Sequence, residues 1–138
     1  MLILATLALA CASCSRLPDP APIQASCSVT DGDTIRCGDE RIRLLGIDAP
    51  EMAGHCRRGR TCAPGDPQAS ADALAARIEG KALSIRRVGR DRYKRTLGIV
   101  YAGGENLSCA QLATGRAIYR GDWDNGGAVR KDCPSVAR

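Results

Sequence analysis

From residue 26 onward, apolar positions fall into short runs punctuated by Gly, Asp and Pro. Residues 26–30 and 34–37 are β-prone runs on either side of Asp31-Gly32-Asp33, a turn signal. After a Gly38-Asp39 turn, residues 40–47 (ERIRLLGI) alternate as a third strand. Ile42 and Leu44 fall on one face and Arg41, Arg43, Leu45 and Ile47 on the other. Pro50 cannot continue the ladder and ends it. Residues 52–66 form a loop rich in Gly, Arg and Cys. A helix follows over 67–79, with Asp66 as its cap, Pro67 in its first turn and Ala71, Leu74, Ala75 and Ile78 as its apolar stripe. Gly80 stops it. Residues 82–88 and 95–101 are strands, Gly103-Gly104 breaks the chain, and 107–114 is a second helix ended by Gly115. From Arg116 on there is no clear period.

Five short strands with one interposed helix predict an α+β, mainly β domain. The matching architecture is a closed Greek-key barrel of the OB type, carrying two or three short helices. Aromatic residues make up only 3% and Phe is absent, so the core must come from Leu, Ile, Val and Ala. Such a core is small, and covalent support is expected. Residues 1–12 are apolar and uncharged, too short to span a bilayer as a helix, and read as a signal peptide or lipoprotein leader with Cys11 as a possible lipid anchor. Residues 13–25 read as a Pro-rich linker and 26–138 as the domain. An exported protein follows: periplasmic, secreted or attached to a bacterial envelope. Of eight cysteines, removing Cys11 and Cys14 leaves six in the domain: Cys27, Cys37, Cys56, Cys62, Cys109 and Cys133. An even number in a small exported domain reads as three disulfides, whose connectivity sequence does not fix. Proximity favours Cys27–Cys37 across a hairpin, Cys56–Cys62 around a short loop and Cys109–Cys133 from the tail to the last helix. A zinc site at His55, Cys56 and Cys62 is the rival, and lacks a fourth ligand.

The net charge of +5 is carried mostly by Arg, whose planar fork suits phosphate. A single His excludes centres that need paired histidines. Asp33 follows a turn, Asp48 and Glu51 leave the third strand, Arg43 lies within that strand and Arg95 enters the fifth. Paired carboxylates can hold Ca²⁺ or Mg²⁺, and arginines can grip a phosphate, which together suffice to hydrolyse a phosphodiester. Taken singly, Asp-Gly-Asp is a common turn and a strand Arg a common surface residue.

Three strings together are more specific: Val29-Thr30-Asp31-Gly32-Asp33-Thr34, then Arg41-Ile42-Arg43-Leu44-Leu45-Gly46-Ile47-Asp48-Ala49-Pro50-Glu51, then Asp91-Arg92-Tyr93-Lys94-Arg95-Thr96-Leu97-Gly98. In order and separation they resemble the staphylococcal nuclease (thermonuclease) family. The resemblance implies a calcium-dependent endonuclease acting on DNA and RNA and leaving 3′-phosphate ends. By it, Asp33, Asp48 and the carbonyl of Ala49 are Ca²⁺ ligands, Glu51 the general base, and Arg43 and Arg95 the arginines on the phosphate. Tyr93 corresponds to a tyrosine at the nucleotide site. Lys94 stands where the family usually has Gly and adds a candidate phosphate contact. The family's long C-terminal helix is not recognisable in residues 121–138. Arg57, Arg58 and Arg60 read as a solvated basic loop beside the nucleic-acid path, His55 as structural or exposed, and Tyr101, Tyr119 and Trp123 as packing residues. The expected partner is DNA or RNA, preferably single-stranded, bound by a monomer. The alternative is a noncatalytic OB-fold module that binds nucleic acid through the same arginines.

Overall fold

Alternation along the chain places the long strands, and glycines place their ends. The computed structural model describes residues 17–138. The expected leader, Cys11, Cys14 and the first residues of the expected linker lie outside them. The elements run β1 (Ala21–Pro22), β2 (Cys27–Asp31), β3 (Thr34–Cys37), β4 (Glu40–Leu44), β5 (Ile47–Asp48) and α1 (Pro67–Ile78). They continue with β6 (Leu83–Arg90), β7 (Thr96–Ala102), β8 (Glu105–Asn106), α2 (Leu107–Ala113), β9 (Ile118–Tyr119) and α3 (Ala128–Asp132). Two 3-10 turns, Gly121–Trp123 and Asn125–Gly127, precede α3.

The strands form a mixed sheet in the order β1-β6-β7-β4-β3-β2, with β8 added to β7, while β5 and β9 pair separately. β4 and β7 are parallel, Arg43 lying opposite Leu97, and the other pairs are antiparallel. The five expected strands are therefore joined by four two-residue strands, each too short to carry a period. The third strand stops at Leu44 instead of reaching Ile47. Gly46 turns the chain there with φ +72°, and a Cβ on it would lie 3.1 Å from Cβ of Asp124. The segment expected as linker carries β1, paired to Ile85 and Ser84, and Ile23 packs against the core, so ordered contacts begin upstream of residue 26.

Asp66 caps α1 by accepting the backbone N–H groups of Gln68 at 2.9 Å and Ala69 at 3.0 Å. The buried face of α1 is Ser70, Ala71 and Leu74. Ala75, expected on the stripe, is exposed, because the face turns toward Ser70, whose Oγ donates to the carbonyl of Arg116 at 2.6 Å. Neighbouring residues of a strand point to opposite sides of the sheet. Leu44 and Val100 accordingly join one apolar cluster with Ile35, Ile42, Leu74 and Leu107, while Leu45 and Ile99 join another with Val129 and Ala137. Full burial of each of these Leu, Ile and Val side chains stabilises by about 1.5–3 kcal/mol. The patternless tail supplies α3, whose Asp132 accepts Oη of Tyr101 at 3.0 Å and Nδ2 of Asn106 at 2.9 Å. Burial and that bond push the Tyr101 phenol up to about 12.

The disulfides are Cys27–Cys37, Cys56–Cys62 and Cys109–Cys133, the connectivity that proximity favours. With Cys56 and Cys62 joined, the zinc alternative has no thiolates. Cys27 and Cys37 face each other in the β2–β3 register, and Cys109–Cys133 ties α2 to the end of α3.

Candidate active site

The Asp31-Gly32-Asp33 turn is assembled from three directions. Oδ1 of Asp31 accepts the backbone N–H of Asp33 at 3.1 Å, an Asx turn that local sequence encodes. From α2, the buried amide of Gln111 donates to the carbonyls of Gly32 at 2.7 Å and Ser70 at 3.0 Å. Ala49, beyond β5, donates its N–H to Oδ2 of Asp33 at 2.7 Å. The packing leaves no room at Gly32: a Cβ there would lie 1.9 Å from Oγ of Ser70 and 2.8 Å from Cβ of Ala49. Gly32→Ala should therefore cost about 1–3 kcal/mol through overpacking, read as a lower urea midpoint with an unchanged m-value.

Asp33 and Asp48 share a counter-ion. Arg43 on β4 pairs with Oδ2 of Asp33 and stands 3.6 Å from Oδ1 of Asp48. All three side chains are buried, Asp48 completely. Burial pushes the Asp33 carboxyl up to about 6 against the opposing pull of Arg43. Oδ2 of Asp48 is buried and accepts no hydrogen bond, the Arg120 guanidinium standing 3.8 Å away. Glu51 joins the group through Arg60, which reaches Oε1 of Glu51 at 2.9 Å and Oδ1 of Asp48 at 2.7 Å.

Two buried carboxylates, one with an oxygen that accepts no hydrogen bond, form a hard, anionic donor set that fits a Ca²⁺ ion. Among the described residues no three His, Cys, Asp or Glu side chains form a ready-made cage. A cation here would complete its shell with backbone carbonyl and water oxygens.

A cleft of about 790 Å³ opens over this group, lined by Asp33, Arg43, Glu51, Tyr93 and Arg95 among others. Arg95 is placed by Asp91, which accepts its backbone N–H at 3.0 Å and its Nε at 2.8 Å. Burial would raise the Asp91 carboxyl, but these bonds outweigh it and hold the group below the usual carboxylate range. Tyr93 is exposed, with the guanidiniums of Arg92 and Arg95 at 4.9 and 5.4 Å from its ring centroid. Lys94 is exposed at the adjoining turn with φ +63° and is not part of the cleft lining. His55 is exposed on its loop.

Three cleft residues escape a reading by local pattern. Arg60 is half-buried in ion pairs instead of solvated. Arg120 and Trp123 come from the patternless tail, with Trp123 against Arg120 at 4.1 Å and against Arg43 and Arg60 at 5.5 Å each. Trp123 thus lines the cleft, where sequence suggested packing. Gln111 left a detectable signal: a polar residue on the same helix face as Leu107 and Ala110.

The model of the staphylococcal nuclease homologue family matches residues 41–132. The succinoglycan biosynthesis protein ExoI of Rhizobium meliloti is 36% identical over 77% of this chain and 56% of its own. An uncharacterized endonuclease of Escherichia coli O157:H7 is 37% identical over 64% of this chain and 55% of its own. The thermonuclease of Staphylococcus intermedius is 34% identical over 66% and 56%. The chain spans about half the length of these curated relatives.

Proposed function

Because the chain belongs to the staphylococcal nuclease family, we propose that it is a calcium-dependent endonuclease that hydrolyses DNA and RNA to leave 3′-phosphate ends. The observation that carries the reading is the linkage of Asp33, Asp48 and Glu51 through Arg43 and Arg60 beneath an arginine-lined cleft. A module that only binds nucleic acid has no use for buried carboxylates facing a phosphate path. The relatives named as an endonuclease and a thermonuclease support the same class.

Asp33, Asp48 and the Ala49 carbonyl would hold the ion. When bound, calcium supplies positive charge against the phosphate and acidifies nearby water. Glu51 accepts the proton of the attacking water. The water oxygen forms a bond to phosphorus as the bond to the 5′ oxygen breaks, and the released 5′ oxygen takes up a proton. Arg43 and Arg95 donate N–H groups to the non-bridging oxygens, whose charge grows as phosphorus becomes pentacoordinate. Arg95 reaches the reaction with its guanidinium already oriented by Asp91, which lowers the entropic cost of positioning it. Tyr93 offers an exposed ring for a neighbouring base, and Lys94 a further cation for the backbone.

The proposal extends to a closed OB-type barrel, a monomeric domain and a preference for single strands. Export through the leader goes with it, supported by the three disulfides, which suit an oxidising compartment. The test is cleavage of heat-denatured DNA by the purified, oxidised protein with Ca²⁺ and with a chelator. Products ending in 3′-phosphate are expected with Ca²⁺ alone. Folded protein inactive under both conditions would overturn the enzyme in favour of the noncatalytic binding module.

A further inference from the structure

The loop between Glu51 and α1 lies outside the three sequence motifs, yet it delivers a charged group into the site. Cys56–Cys62 closes it over a separation of 6 residues. Inside that ring the backbone N–H of Arg60 donates to the carbonyl of Arg57 at 3.1 Å, so Arg60 sits at the end of a tight turn two residues from the bridge. Its guanidinium spans Oδ1 of Asp48 at 2.7 Å and Oε1 of Glu51 at 2.9 Å, with the Trp123 ring 5.5 Å away. One planar fork therefore takes a proposed cation ligand and the proposed base together. Asp48 is wholly buried and needs a positive neighbour, and Arg60 is the nearest, at 2.7 Å against 3.6 Å for Arg43 and 3.8 Å for Arg120.

We infer that Arg60 is a tethered internal counter-ion, held by the Cys56–Cys62 loop, that competes with the divalent cation for Asp48 and Glu51. Loading the site requires the guanidinium to withdraw, which also frees Glu51 to meet water. The disulfide keeps the displaced Arg60 close to the cleft, so the site refills with it when the cation leaves. The inference rests on the cation-dependent reading proposed above.

Calorimetric titration of Ca²⁺ into the oxidised protein without nucleic acid tests it, with terbium luminescence as a second measure of site occupancy. Arg60→Gln removes both a competitor and a repelling charge, and should tighten Ca²⁺ by about tenfold, the worth of a charge-assisted hydrogen bond. Arg58→Gln removes the same charge from an exposed position of the same loop. Its charge is screened by solvent and salt, so it should change the affinity by no more than about twofold. Arg60→Lys, which keeps the charge without the fork, should fall between. Cys56→Ser/Cys62→Ser loosens the tether and should tighten Ca²⁺ by less than Arg60→Gln. Trp123, the single Trp of the chain, gives an independent readout. Its fluorescence should change on adding Ca²⁺ to the wild type, and much less in Arg60→Gln. If wild type binds Ca²⁺ and Arg60→Gln binds it no tighter, or more weakly, the counter-ion role is wrong while the proposed function stands. If neither protein binds Ca²⁺, both fall.

Discussion

Glu51→Gln should slow cleavage of single-stranded DNA by about a thousandfold at saturating Ca²⁺, the usual worth of a general base. The side chain keeps its size and loses its negative charge and with it the ability to take a proton. Oligonucleotide affinity, measured by fluorescence anisotropy with a chelator present, should hold or rise slightly, because a negative charge facing the phosphate is removed. The loss should therefore lie in kcat, with KM nearly unchanged. A variant cleaving at the wild-type rate would remove Glu51 from the chemistry. Arg60 then keeps only Asp48 as a full ionic partner, so the variant should also show a moderately altered Ca²⁺ affinity without losing its fold.

Arg43→Gln has two separable effects. On chemistry, it removes the guanidinium proposed to contact the phosphate, and kcat/KM should fall by about a hundredfold to a thousandfold. On stability, it leaves the buried Asp33 without its ionic partner, while Asp48 keeps Arg60 and Arg120; breaking a buried pair in this way costs about 3–5 kcal/mol. The side chains involved are 10%, 8% and 0% exposed, so solvent screens this loss little. Unfolding in urea with a chelator should show it directly. Saturating Ca²⁺ should restore part of the lost midpoint, since the proposed site places the ion against the same two carboxylates. Arg43→Lys keeps a charge but not the two-pronged contact, and should recover more stability than activity. Equal losses of stability with and without Ca²⁺ would separate Arg43 from the cation site.

Much of this protein is legible from neighbours along the chain. The alternation of residues 40–44 marks β4 and puts Ile42 and Leu44 into the core. Asp66 and Pro67 announce the start of α1, and Asp-Gly-Asp encodes its own turn through a side chain two residues away. Cysteine spacing favours the observed disulfides, because residues 6 or 10 apart in a loop or hairpin are already close before folding. The three motifs also name Asp33, Arg43, Asp48, Glu51, Tyr93 and Arg95 as candidates, although local pattern does not say that Arg43 would be buried between two carboxylates.

What remains depends on contacts between elements. Ala75 leaves its stripe because α1 rotates to bring Ser70 onto the carbonyl of Arg116, far along the chain. The third strand ends early because Gly46 must pass against Asp124. Gln111 secures the Asp33 turn from 79 residues away, and Trp123 and Arg120 enter the cleft from a tail with no period. Arg60 looks like one of several loop arginines until folding places Asp48 and Glu51 beneath its fork. Local periodicity and side-chain chemistry mark the five longer strands, the Asp66 cap of α1 and the candidate reactive groups, because each of these is encoded by residues close together along the chain. Which charges share a partner and which stand alone follows from the folded arrangement, because burial and pairing are properties of segments brought together across the sheet.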